Sequence, residues 1–216
     1  MDFAQARLAM VESQVRPNDV TNPALLAAFR RIPREEFAPG PARALAYADL
    51  EPVVTPGRTL MRPRDLGKLL QALEPRTGER ALELAGATGY GAAVLAACVG
   101  QAFTLDPSPD LSFAARAALD RCGVANVTAA CTDPAQGWPD AAPYDVIFLN
   151  GACEFVPQAW LDQLADGGRL GVIVRQGAAG EARIYLKSGG RTAYRVAFDA
   201  APSLAPGLAK PAAFVF

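Results

Sequence analysis

The 216-residue sequence predicts an α/β fold, a mostly parallel sheet with helices on both faces. Three observations predict it. The stretch RALELAGATGYGAAVLAACVGQAFTLD, from Arg80 to Asp106, reads as strand, small-residue turn, helix and strand. Further short apolar runs at Tyr144–Leu149 and Gly171–Val174 are separated by a helical segment, the spacing that buried parallel strands require. Hydrophobic residues make up 51% of the chain and charged residues 20%, enough apolar side chain for a sizeable core.

Composition excludes several classes of function. Net charge is −1 with no long basic run, so electrostatics gives no support for nucleic-acid binding. No apolar run approaches the roughly 20 residues of a membrane span. The N-terminus, MDFAQARLAMVESQ, lacks an apolar signal core, which makes the cytoplasm the expected compartment. The four cysteines form no C-x-x-C pair and there is no histidine, so neither a metal site nor a disulfide framework is expected. The missing histidine also excludes Ser-His-Asp and Cys-His catalysis. Any general base must be Asp, Glu, Lys, Tyr or a backbone group.

Taken in order, Phe3, Ala6, Leu8, Met10 and Val11 begin an amphipathic helix that Pro17 ends. Residues 18–23 form a loop, and Ala24 to Ile32 is a second helix closed by Pro33. A loop carrying Ala46-Tyr47-Ala48-Asp49 leads to Val53–Pro63. Asp65 to Leu73 is a helix before the Arg80–Asp106 unit. Leu111 to Arg121 is the next helix, and Thr132–Pro139 has turn chemistry. The strand at 144–149 ends in a turn at Asn150-Gly151-Ala152. Pro157 to Leu164 is a helix, and Ala165–Leu170 a tight turn into the strand at 171–174. Arg183–Leu186 and Ala193–Phe198 make an antiparallel hairpin across Ser188-Gly189-Gly190, and Ala212–Phe216 is a possible last strand.

The turn after the first strand of the central unit decides what the unit could bind. A dinucleotide site needs G-x-G-x-x-G, so that pyrophosphate can lie on bare backbone N–H groups. Only Gly86 and Gly89 fall in the turn, and their spacing does not fit. The alternative E/D-x-G-x-G-x-G, laid over Glu83–Gly89, keeps Glu83 and Gly89 but meets Ala85 and Ala87 where glycine stands. On the turn alone, an ordinary βαβ unit and a cofactor site are evenly matched. Asp106 favours the cofactor, because an acid at the end of the second strand can accept from two ribose hydroxyls.

Several motifs then converge on one family. The order MVESQVR, PREEFAP and AYAD, followed by Gly57, Thr59 and Pro63, resembles the N-terminal half of protein-L-isoaspartate O-methyltransferases. Asp106 follows Gly89 by 17 residues, which agrees with that family's last glycine and ribose-binding acid. The resemblance implies a Rossmann-like class I methyltransferase fold. It would have a seven-stranded, mostly parallel sheet with an antiparallel C-terminal edge, and a helical N-terminal lid. It implies one domain over 1–216, with lid and substrate loop in 1–75 and the core in 76–216.

The resemblance also implies S-adenosylmethionine as cofactor, held by Glu83, Ala85, Ala87, Gly89, Asp106, Asp133 and Asn150. Asp133 has a second reading of equal weight, as a helix cap or Asx-turn. Thr59 and Met61 fall in the acceptor loop, with Met61 at the position of the family's hydroxyl residue and Arg58 where glutamine is usual. Arg58, Arg62 and Arg64 could contact a carboxylate, but each taken singly is expected on a solvated basic loop. The implied function is methyl transfer to a protein carboxylate in isoaspartate repair, by a monomer acting on an isoaspartyl protein or peptide. Alternatives are a changed acceptor, or a non-catalytic descendant binding a metabolite or protein in the old cleft.

Overall fold

The chain, seen in a computed structural model that describes residues 2–210, begins with helix α1 (Phe3–Met10), whose Asp2 cap accepts from the Gln5 N–H at 3.1 Å. The helical path continues through a wide turn at Val11–Val15 and a tight one at Arg16–Asn18, so it does reach Pro17. Helix α2 (Pro23–Arg31) starts with proline in its first turn behind an Asn22 cap. The segment read as a plain loop at 53–63 contains a small antiparallel hairpin, β1 (Val53–Thr55) and β2 (Arg58–Thr59). Helix α3 (Pro63–Ala72) follows.

The main sheet then forms from β3 (Arg80–Leu84), β4 (Gln101–Asp106), β5 (Val127–Cys131), β6 (Tyr144–Cys153), β7 (Leu164–Gln176), β8 (Ala179–Ser188) and β9 (Arg191–Asp199). Helix α4 (Tyr90–Ala96) joins β3 to β4, α5 (Pro109–Arg121) joins β4 to β5, and α6 (Gln158–Asp162) precedes β7. Strand order is β5-β4-β3-β6-β7-β8-β9, parallel as far as β7 and antiparallel beyond it. The seven-stranded sheet and its antiparallel C-terminal edge are as the family resemblance implies. Chain order reverses between β3 and β6, and a crevice at the carboxyl ends of those strands is where such sheets bind ligands.

Alternate residues along each strand separate two apolar layers. Ala81, Ala102, Val146 and Phe148 face α1–α5, whereas Leu82, Leu84, Phe103 and Ile147 face Trp160 of α6 and residues Ala205 and Leu208. The helical cover is therefore heavier on one face. Three boundaries differ from the sequence reading. Strand β6 runs on through Asn150-Gly151-Ala152, read as a turn, to Cys153, with a register shift between Phe148 and Ala152. Helix α6 stops at Asp162 because Leu164 already pairs with Tyr144, and the expected turn at 165–170 lies inside β7 as a register shift, with Gly167 at φ 79°. The β8–β9 connection is the two-residue Gly189-Gly190, both at positive φ (54° and 75°), as a tight hairpin demands. The last strand anticipated at Ala212–Phe216 lies outside the described residues.

Candidate functional site

The turn from β3 to α4 is set by its backbone angles. Ala85 has φ 53°, Ala87 φ 51° and Gly89 φ 83°, whereas Gly86 is not left-handed. The two alanines thus keep the conformation that the glycine pattern exists to supply. Each L-residue held there costs roughly 1–2 kcal/mol. Hydrogen bonds impose the path: Gly86 N–H donates to Leu105 O at 2.7 Å and Gly89 N–H to Gly86 O at 2.8 Å. Gly86 is needed for space. A Cβ there would lie 2.0 Å from Thr104 Oγ1 and 2.5 Å from Glu83 Oε2.

Glu83 lies beneath this turn, 1% exposed. Its carboxyl accepts from Thr104 Oγ1 (2.7 Å), the Ala92 N–H (3.1 Å) and Asn150 Nδ2 (3.1 Å). Burial pushes its pKa up to about 7, against those three hydrogen bonds, which favour the charged form. All three donors belong to the protein, so Glu83 braces the turn from below. Asn150 Nδ2 also reaches Gly86 O at 3.4 Å, while Asn150 Oδ1 is buried without a partner.

Asp106 ends β4 beside the same turn, 2% exposed. Its Oδ1 accepts from the Ser108 N–H at 3.0 Å and its Oδ2 from the Ala87 N–H at 2.9 Å. A third donor is Arg58, whose Nη2 bonds both Asp106 Oδ2 and, at 2.7 Å, Ala85 O. The expectation of a solvated loop is overturned for Arg58, which is 8% exposed. Strand β2 turns it inward, and the Asp106 charge offsets the cost of burying a guanidinium. Its Nε is left buried without a partner. Arg62 and Arg64 are half-buried, and Arg64 pairs with Asp49 at 3.4 Å.

Asp133 stands on the neighbouring strand's exit, tied to Asp106 by the Thr132 N–H to Asp106 O bond (3.2 Å). It is exposed and caps a short helical turn, accepting from the Ala135 N–H at 2.9 Å. The cap reading is therefore realised, at a place that also borders the crevice. Thr59 is half-buried in β2 opposite Val53. Met61 is 2% exposed and belongs to the layer under α1–α5.

Two residues absent from the predicted site organise its cover. Arg34 is fully buried, donates to Ala46 O and Met61 O at 2.7 Å each, and stacks over the Tyr90 ring at 4.6 Å. It joins the N-terminal segment, the acceptor loop and the start of α4. Thr88 Oγ1 donates to Phe37 O, fastening the turn itself to the segment that covers it. In sequence, the run of two polar residues and a proline at Arg34's position carries no sign of this burial. Its place as the arginine of the family's PRE phrase identifies a motif and not a contact.

Residues 6–198 match the model of the family described as protein-L-isoaspartate(D-aspartate) O-methyltransferase. The chain is 40% identical over 168 residues to protein-L-isoaspartate O-methyltransferase 1 of Rhodopseudomonas palustris (strain HaA2), covering 78% of this chain and 69% of that one. It is 41% identical over 165 residues to the protein-L-isoaspartate O-methyltransferase of Methylorubrum populi, covering 76% and 77%. A solved protein-L-isoaspartate O-methyltransferase superposes with TM-score 0.81 at 27% identity, over 95% of this chain and 67% of the other.

Proposed function

This chain belongs to the protein-L-isoaspartate(D-aspartate) O-methyltransferase family, and we propose how its own residues serve the reaction of that family. The function is S-adenosylmethionine-dependent methylation of isoaspartyl carboxylates in protein repair; the family match does not favour a non-catalytic descendant. The observation that carries the site assignment is the meeting of Asp106, Asn150 and the left-handed turn at the point where strand order reverses. The residues fit the donor. Asp106 keeps acceptor capacity on Oδ1 beyond its one bond to Ser108, and the unpartnered Asn150 Oδ1 is a buried acceptor beside the turn.

In this reading Asp106 holds the ribose, Asp133 borders the adenine, and Ala85, Ala87 and Gly89 shape the backbone against which the donor lies. Glu83 keeps that backbone in place. Bound donor supplies a methyl group on a positively charged sulfonium. The acceptor carboxylate is already ionised near neutral pH, so no proton has to be removed and the absence of histidine is no obstacle. The protein's contribution is alignment and exclusion of water. Phe37, Ala38 and Ala46, all buried, and the Thr88–Phe37 bond supply the second. Thr59 and Met61 border the acceptor, and residues 1–75 act as lid and acceptor loop over the core at 76–216.

The acceptor is an isoaspartyl residue in a protein or peptide, and the enzyme works as a cytoplasmic monomer without nucleic acid. Four free cysteines support the compartment, and a net charge of −1 supports the exclusion of nucleic acid. The test is calorimetric titration with S-adenosylhomocysteine beside transfer of labelled methyl to an isoaspartyl peptide. Asp106→Ala should weaken binding by about 1–3 kcal/mol, the cost of leaving buried groups unpaired. Unchanged affinity in that variant removes Asp106 from the site.

A further inference from the structure

Asp106 has two carboxylate oxygens, and both are engaged within the protein. Oδ1 takes one backbone N–H; Oδ2 takes the Ala87 N–H and the Arg58 guanidinium together. A carboxylate oxygen offers about two lone-pair directions, so Oδ2 has none left for a ribose hydroxyl. A diol that pairs with one carboxylate needs both oxygens. The same Nη2 is also clamped on the turn through Ala85 O at 2.7 Å, which places that one nitrogen between the acid and the left-handed backbone. This is the space on the Asp106 side of the turn.

We propose that Arg58 is an internal competitor of the methyl donor: its guanidinium holds the Asp106 oxygen that the ribose requires, and the donor binds as Arg58 leaves. The proposal rests on the reading of Asp106 as the ribose acid. Two further features agree with a side chain that has a second position. Its Nε is buried without a partner, so the seat on Asp106 satisfies the guanidinium only in part. Arg58 also stands next to the exposed tip of the β1–β2 hairpin, Pro56-Gly57, with Gly57 at φ 74°. The unbranched stem can therefore swing outward towards the acceptor side without disturbing the main sheet. Apparent affinity for the donor is its intrinsic affinity reduced by the fraction of molecules in which Arg58 has withdrawn.

The experiment is calorimetric titration of the full-length protein with S-adenosylhomocysteine in four forms: unmodified, Arg58→Gln, Asp106→Asn, and the two together. Arg58→Gln should tighten binding about tenfold or more, equivalent to roughly 1.4 kcal/mol. In the Asp106→Asn background the same change should alter affinity less than about twofold, because the contest is for that carboxylate. A structural role for Arg58 would produce loss in both backgrounds. If the unmodified protein binds and Arg58→Gln binds no more tightly, Arg58 is not a competitor, and carboxyl methylation still stands. If neither form binds at millimolar ligand and no isoaspartyl peptide is methylated, both readings fall. Thermal melts establish folding. Should Arg58→Gln not fold, Arg58→Met decides, since its thioether keeps an unbranched stem but has no hydrogen to donate to Asp106 or Ala85 O: tighter binding supports competition, and equal or weaker binding overturns it.

Discussion

Replacing Ala85 and Ala87 singly by glycine measures the strain stored in the donor turn. Both alanines sit at positive φ (53° and 51°), and relief of that conformation should return roughly 1–2 kcal/mol at each site. Two losses oppose it. Added glycine raises the entropy of the unfolded chain by about 0.4–1 kcal/mol. Each buried methyl removed forfeits about 0.8 kcal/mol, and both alanines are 1% exposed. The terms nearly cancel, so each variant should stay within about 1 kcal/mol of the parent. The comparison that gives this meaning is Ala93→Gly, a fully buried alanine inside α4 with no strain to release. There the helix penalty of about 1 kcal/mol adds to the lost methyl, for about 2 kcal/mol in all. For a domain of this size 1 kcal/mol corresponds to roughly 2–4 °C, so Ala93→Gly should lower Tm by about 4–8 °C. Either turn variant should move it by less than about 4 °C. A turn variant that costs as much as Ala93→Gly would show that no strain is held there.

Three other outcomes follow from the same geometry. Gly86→Ala should destabilise by about 1–3 kcal/mol or more and abolish S-adenosylhomocysteine binding, because its Cβ would meet Thr104 Oγ1 at 2.0 Å; a parental melt and titration would refute the crowding. Glu83, with its pKa raised from 4.5 to about 7, binds more protons folded than unfolded in that interval, so stability should fall as pH rises from about 4.5 to about 7. The fall is at most about 3 kcal/mol, and Glu83→Gln should flatten it in urea melts across that range; an unchanged pH profile would remove Glu83 as its source. Met61→Ser restores a hydroxyl to the acceptor loop at the expense of a buried side chain, so turnover of an isoaspartyl peptide should rise while stability drops by about 2–5 kcal/mol. A drop without any rise in turnover would assign Met61 to packing alone.

What was legible in the sequence is what repeats locally. Apolar runs at 81–84, 102–105 and 144–149 announce buried strands because each carries its own evidence of two-sided burial. The Gly189-Gly190 turn acts within two residues of itself. The Gly89–Asp106 interval places an acid at a strand end because helix and strand lengths between them are constrained. The bulge inside β7 was not legible, since four residues at 165–168 with turn chemistry look alike whether they end a strand or interrupt it. Only pairing with β6 on both sides of them decides.

Arg58 shows where the limit lies and why it matters for function. Between Gly57 and Thr59, on a loop with two more arginines nearby, every local rule favours a solvated side chain. Its partner is 48 residues away in sequence, and its second acceptor is the carbonyl of a strained alanine. Positions 58, 85 and 87 are three of those at which the chain departs from the family's expected residues, and the fold brings them into one contact set around Asp106. Taken one at a time, each departure reads as a small loss at a separate motif. Together they are coupled: the Ala85 carbonyl that left-handed φ directs at Arg58 helps hold the guanidinium on Asp106, and the Ala87 N–H occupies the same oxygen. Substitutions at these sites should therefore not add independently in donor affinity, because neighbours that share one carboxylate share its free energy.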